Sequence, residues 1–309
     1  MMRSAIKAFL VVATGLTVGA CATNPYAATN KVHKKQAKAY ARTLYAVPEP
    51  APESIPYPQG DYWVGATNFN MRKPNFVIIH HTAQTSTAQT LKTFTTPATK
   101  VSAHYVIGRD GKVYQMLNDY LRAWHGGVSK WGNNTDINSS SVGIELDNNG
   151  FEPFAEAQMA SLLGVLETLK KKHDIPAANF IGHSDIAPTR KNDPNPTFPW
   201  KQLAEKGFGL WYDADALDSV LVAGSYFDST AVADTSILQP ELLVLKQEPK
   251  YKVPDNFNPK DALRIIGYDV RNMDAAIKAF KLHFIQSEVN ATLTEKDKLI
   301  LYNLYLKYL

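Results

Sequence analysis

Cysteine is almost missing from this chain: Cys21 is the only one in 309 residues, so no internal disulfide can form. The HExxH pattern that places two histidines on one helix face is also missing, which excludes that family of zinc proteases. An excess of either charge is missing: 33 Lys and Arg face 29 Asp and Glu. The net charge is +4, and no basic stripe alternates with aromatic residues, so nucleic acid is excluded as a partner. So weak a positive balance is still compatible with an anionic surface such as a membrane or cell wall. Long apolar runs are lacking too. The one at the front, Ala8 to Ala20, is too short to span a bilayer with stable flanks. What remains is an ordinary globular composition, 45% hydrophobic, with length for one large or two modest domains.

The front of the chain has the order of a secretory leader: Arg3 and Lys7, then the apolar run, then "VGAC" from Val18 to Cys21. "VGAC" resembles the lipobox of bacterial lipoproteins. The resemblance implies cleavage after residue 20 and lipidation of Cys21, and Ala22 in the following position implies the outer membrane of a Gram-negative cell, facing the periplasm. Residues 21–60 are polar, then rich in proline ("VPEPAPESIPYP"), and predict an extended tether.

Residues 61–213 alternate between strand and helix signals. "FVIIHH" (Phe76 to His81) suits a buried strand, and "AHYVIGRDGKVYQML" (Ala103 to Leu117) suits two strands around an Asp110-Gly111 turn. "SVGIELDN" (Ser141 to Asn148) suits another strand. Met159, Leu162, Leu163, Leu166 and Leu169 recur at helical spacing over about 154–172, and "NFIGHSDI" (Asn179 to Ile186) suits a last strand ending near His183. The fold class is α/β, with a mixed central sheet flanked by helices. Residues 214–253 show no clear period and predict a linker. Residues 254–309 predict a small three-helix domain: Asn258 as N-cap, Pro259 as first helical residue, Gly267 as stop, an apolar stripe of Ile277, Phe280 and Phe284, and Thr294 with Asp297 as a capping box.

Of the eight histidines, His33, His173 and His283 lie in the tether or on helices and read as ordinary surface or packed residues. His80, His81, His104, His125 and His183 lie on strands or strand ends, where side chains converge. His80, His183 and Asp193 could offer two imidazoles and a carboxylate, leaving the fourth zinc position for water. Spacing alone leaves this open, because stray histidines on strands are common. Glu145, within an apolar strand, is either a general base with raised proton affinity or a residue facing solvent from an edge strand. Lys191 stands two residues before Asp193 and is either an oxyanion-stabilising cation or a solvated lysine. Pro188, Pro194 and Pro196 stiffen the loop between them, and Asp185 and Arg190 read as groups that brace it.

"VIIHHTA", "SAHYVIGRDGKVYQM", "AWHGG", "SVGIELDN" and "GHSDIAPTRKNDPNPTFPW" follow one another over residues 61–213. Together they resemble the zinc-dependent N-acetylmuramoyl-L-alanine amidases of the AmpD/AmiD type, and the lipobox and helical end resemble the AmiD lipoprotein branch. The fold is one shared with peptidoglycan recognition proteins. The resemblance implies zinc held by His80, His183 and Asp193, Glu145 as the catalytic carboxylate, Lys191 assisting the transition state, and Trp124 and His125 as pocket-wall contacts to substrate. It implies cleavage between N-acetylmuramic acid and L-alanine in peptidoglycan or muropeptides, by a monomer, with the last domain resembling helical peptidoglycan-binding modules. Where the family has "DPG" this chain has "DPN", and Asn195 is expected to take the positive φ of that turn. Rival readings are a peptidoglycan recognition protein that only binds or tethers, and a zinc peptidase or deacetylase of the same wall.

Overall fold

The computed structural model describes residues 24–45, 66, 68, 71, 73–213 and 252–309. The leader, Cys21, the Pro-rich stretch and residues 214–251 lie outside them. The chain divides into two units, Met1–Phe69 and Asn70–Leu309. In the first, the tether is not extended throughout: Ala27–Tyr45 is a helix, α1. Its sequence is rich in Ala and Lys and free of Pro and Gly, which favours helix without tertiary support. No helix among the described residues is long and apolar enough to cross a membrane.

The second unit is built on a five-stranded sheet in the order β3-β2-β4-β1-β5. The strands are β1 Phe76–His81, β2 Tyr105–Ile107, β3 Val113–Gln115, β4 Ser141–Leu146 and β5 Phe180–Gly182. All neighbours are parallel except β2 and β3, which form a hairpin. That hairpin turns differently from the expected two-residue form. The Gly111 N–H donates to the Gly108 carbonyl, the Gly108 N–H to the Lys112 carbonyl, and Gly111 takes φ +79°. The loop is thus Arg109-Asp110-Gly111, a turn closed by a left-handed glycine.

Period-two alternation divides the sheet into two faces. Val77 and Ile79 of β1, with Val142, Ile144 and Leu146 of β4, pack against Leu162, Leu166 and Leu169 of helix α4, Glu156–His173. Helix α2, Thr87–Thr95, and the short α6, Trp200–Glu205, complete the shell around the sheet. The other set of alternating positions carries Ile78 and His80 on β1 and Gly143 and Glu145 on β4, where His80 and Glu145 stand opposite in register.

Ile78 joins Ile137 of the short α3, Ile137–Ser140, and Ile181 and Ile186 in a core shared with three C-terminal helices. These are α7 Pro259–Ile266, α8 Met273–Phe284 and α9 Glu295–Tyr308. Their caps are as the sequence predicts: Asn258 accepts from the Lys260 N–H, Gly267 ends α7 at φ +134°, and Thr294 and Asp297 close a capping box. The sequence leaves open whether these helices stand apart or pack on the sheet domain. Ala262, Leu263, Ile266, Ala276 and Phe280 lie in one cluster with the sheet's isoleucines, so the helices are a layer of the same body rather than a detached domain.

Candidate active site

The strands deliver the site at their carboxyl ends, the usual location of function in parallel sheets. β1 ends on His80 and His81. β5 ends at Gly182, where the expected strand stops early, and His183 opens a single helical turn, α5, His183–Ile186. Asp185 in that turn accepts from the Gly182 N–H at 2.7 Å, fixing the corner that aims His183 back over the sheet. The chain then loops through Arg190, whose guanidinium donates to the carbonyls of Gly126 and Val128, and returns through Asp193 and a cis Pro194. The Ser184 N–H donates to the Asp193 carbonyl at 2.8 Å and closes the loop.

Three side chains separated by up to 113 residues converge. His80 Nδ1 lies 2.9 Å from His183 Nδ1 and 3.1 Å from Asp193 Oδ2, and His183 Nδ1 lies 3.0 Å from that same oxygen. All three are buried, and they form the sole cluster of this kind among the described residues. Zn–N and Zn–O bonds of about 2.0–2.2 Å put tetrahedral ligands roughly 3.3 Å apart, so the donor set fits one small divalent ion. The remaining nitrogens support this. With Nδ1 offering its lone pair, the His80 proton sits on Nε2 and donates to His125 Nδ1 at 3.1 Å. His125 Nε2 then donates to Ser141 Oγ at 3.1 Å, and Ser141 donates to the Ile137 carbonyl at 2.6 Å. His183 Nε2 faces the Gly126 carbonyl at 3.3 Å. Such outer contacts hold metal-binding imidazoles in one tautomer.

His125 thus sits differently from the pocket wall expected of it. Its ring is buried, both ring nitrogens are committed to protein groups, and it backs His80. Gly143 makes the room: a Cβ there would lie 2.4 Å from the His125 ring. Trp124, the neighbour of His125 in sequence, is the exposed member of the pair, at 53%. His81 points to the other side of β1, where its Nδ1 accepts from the Asn195 N–H. Asn195 is buried but does not take positive φ. It shapes the turn through its side chain, donating to Asn148 Oδ1 and accepting from Thr197. Asn138 Oδ1 accepts from the backbone N–H groups of His125 and Gly126, and these links through Ser141, Asn138 and Asn195 leave no mark in sequence spacing.

Glu145 is half-buried as a residue, but its Oε2 is sealed from water and has no hydrogen-bond partner among the described residues. Burial, then the nearby Asp193 carboxylate, pushes its pKa up to about 8, and Lys191 opposes this. The exposed Lys191 also disfavours protonation of His80. Burial, then the neighbouring His183, lowers His80 to about 4, so the imidazole is neutral and free to ligate at neutral pH. Burial works against the Asp193 anion, yet contacts with His183 and His80 outweigh it and keep the carboxylate ionised. The arrangement can hold a cation on three donors with an unpartnered carboxylate on the adjacent strand.

Comparison with known proteins bears on this chemistry. The family described as Amidase_2, N-acetylmuramoyl-L-alanine amidase, matches residues 70–196. N-acetylmuramoyl-L-alanine amidase AmiD of Escherichia coli (strain K12) is 31% identical over 248 residues, covering 75% of this chain and 82% of that protein. 1,6-Anhydro-N-acetylmuramyl-L-alanine amidase AmpD of Enterobacter cloacae is 43% identical over 103 residues, 33% of this chain and 55% of the relative. Among solved structures, E. coli AmiD in complex with the substrate anhydro-N-acetylmuramic acid-L-Ala-D-gamma-Glu-L-Lys aligns with a TM-score of 0.61 at 27% identity, over 83% of this chain and 97% of that one. AmpDh3 of Pseudomonas aeruginosa aligns with a TM-score of 0.62 at 26% identity, over 82% of this chain and 99% of the other. With the donor set, the sheet and the helical layer all in place, this chain belongs to the N-acetylmuramoyl-L-alanine amidases.

Proposed function

We propose that this amidase hydrolyses the amide between the lactyl group of N-acetylmuramic acid and L-alanine with zinc held by His80, His183 and Asp193. The observation that carries the reading is the convergence of His80 Nδ1, His183 Nδ1 and Asp193 Oδ2 on one point, beside the unpartnered Oε2 of Glu145. Zinc, when bound, polarises water and carbonyl oxygens and lowers the pKa of water from about 15.7 towards 7.

The chain's own groups supply the rest. Glu145 accepts the proton of the attacking water and hands it to the leaving alanine nitrogen; its raised proton affinity suits both halves of that transfer. Lys191 offers positive charge where the carbonyl oxygen becomes anionic. Trp124 presents an exposed ring for substrate contact. The substrate class follows the relatives: E. coli AmiD and P. aeruginosa AmpDh3 have been solved with anhydro-muramyl peptides. The full donor set disfavours a protein that only binds wall.

The test is purified protein incubated with muropeptides, with products identified by mass spectrometry. Intact free stem peptide is expected; shortened peptides or released acetate would instead establish the peptidase or deacetylase. Glu145→Ala should retain zinc and lose at least about 100-fold in turnover. Undiminished hydrolysis by that variant removes Glu145 from the mechanism.

The location we propose rests on the sequence: a lipid anchor at Cys21 in the outer membrane, with the enzyme in the periplasm. Substitution of Cys21 by Ser should move the chain from the membrane to the soluble fraction, and unchanged fractionation refutes the anchor.

A further inference from the structure

The loop that carries His183 and Asp193 is gripped at both ends by one C-terminal helix. At its start, the buried Asp185 accepts three hydrogen bonds. One comes from its own corner at Gly182, one from the Tyr268 hydroxyl at 2.7 Å and one from His283 Nδ1 at 2.7 Å. Tyr268 lies just beyond α7, and His283 lies on α8, stacked on Trp200 with ring centres 3.9 Å apart. At the loop's end, the Gln286 amide donates to the carbonyls of Pro196 and Phe198. Positions 283 and 286 are three residues apart where α8 ends, so one rigid element sets the spacing between the two grips.

Gln286 has an unusual backbone for this task. It follows α8 in the left-handed region, φ +65°, with its N–H on the Lys281 carbonyl. Glycine is the residue suited to that position, because a Cβ is disfavoured there. A glutamine there gives up backbone comfort and gains two hydrogen bonds to the loop.

We propose that the C-terminal helices serve the metal site, with Asp185, Tyr268, His283 and Gln286 as positioning residues that hold His183 and Asp193 at ligating distance. This rests on the reading that His80, His183 and Asp193 bind zinc. It gives the helical layer a task in the reaction besides any contact with wall.

The test compares full-length protein with its Gln286→Gly and Tyr268→Phe variants. Zinc affinity is read by competition with a chromophoric chelator, coordination geometry by the visible spectrum of the cobalt-substituted protein, and fold by the thermal midpoint of the metal-free form. Gln286→Gly relieves the backbone and removes the side chain that carries the amide. Its metal-free midpoint should equal or exceed the parent's while zinc binds about 10-fold more weakly, the order expected when an outer contact is lost. Tyr268→Phe should weaken zinc several-fold and alter the cobalt spectrum. Parent-like affinity and spectrum in both variants would overturn the clamp. So would lost affinity that merely tracks a fall in the metal-free midpoint, which marks a general stabilising role. A parent that holds no zinc overturns the metal reading and the clamp with it.

Discussion

Glu145 and His80 stand opposite each other on paired strands, and burial moves their proton affinities in opposite senses. His80 titrates near 4 in the folded chain against 6.5 when free, so the unfolded state binds more protons between those values. That contribution to stability is complete above about 6.5 and is lost as pH falls towards 4. His81, His104 and His125 are lowered too and act in the same direction. Glu145 does the reverse. In the metal-free fold its carboxyl stays protonated up to about 8 but ionises near 4.5 in the unfolded chain, so its contribution is lost as pH rises through that interval; a cation held on the three nearby donors favours the ionised form, which is the one that can act as a base. Glu145→Gln removes the second effect alone. In chelator-treated protein, the variant's thermal midpoint should gain on the parent's between about pH 5 and pH 9, by the linkage that converts a pKa shift into stability. A gap that stays flat across that range contradicts the account. Gly143 is the complementary case, because its hydrogen leaves room that a methyl would take from the His125 ring. Gly143→Ala should cost about 1–3 kcal/mol of stability and weaken zinc about 10-fold. Parent-like calorimetry and chelator competition would show that His125 does not brace the site. At this scale the sequence carried much of the information. The proposed ligands His80, His183 and Asp193, with Glu145 and Lys191, stood in motifs that could be matched residue by residue. The inward turn of His125 could not be read, because it depends on a glycine of β4 and a serine hydroxyl brought near only by the fold.

The elements were legible in kind and less so in extent. β1 has a run of β-branched residues and β4 an alternating Val142, Ile144 and Leu146; both formed where expected, and α4 follows its leucine stripe. Three residues of that stripe, Leu162, Leu166 and Leu169, are fully or almost fully buried against the sheet. Leu166→Ala should therefore lower stability by about 2–5 kcal/mol in denaturant titration, the range for a buried leucine whose surroundings cannot collapse. A loss below about 1 kcal/mol would mean that α4 is not locked on the sheet. The misjudged places share a cause. β5 stops at Gly182 because Asp185 caps the corner, and the hairpin lengthens because Gly111 is left-handed. Both are decided by single hydrogen bonds or dihedral angles, which hydrophobic periodicity does not encode. Helix α1 formed within a predicted tether for the opposite reason: its local propensity was strong, and the nearby prolines drew the reading away from it.

Across the whole second unit, an amphipathic stripe declares that a face will be covered but not by what. Ile277, Phe280 and Phe284 signalled a buried side of α8, and a self-contained helical domain would have satisfied them. The structure satisfies them together with Ile78, Ile137, Ile181 and Ile186, across the sheet. Deleting residues 254–309 should accordingly leave a chain that is insoluble or unfolds without cooperativity, because that apolar face would be exposed. A soluble fragment with a sharp thermal transition would restore the two-domain view. The same layering explains how residues of the helical layer reach the loop that carries His183 and Asp193, with His283 lying 98 positions from its partner Asp185.

The most direct measurement is anomalous diffraction at the zinc edge from crystals of the zinc-loaded protein. The account predicts one peak within about 2.0–2.2 Å of His80 Nδ1, His183 Nδ1 and Asp193 Oδ2, with Glu145 nearby but not coordinated. No peak at that point, or zinc bound elsewhere with those three side chains apart, would contradict it.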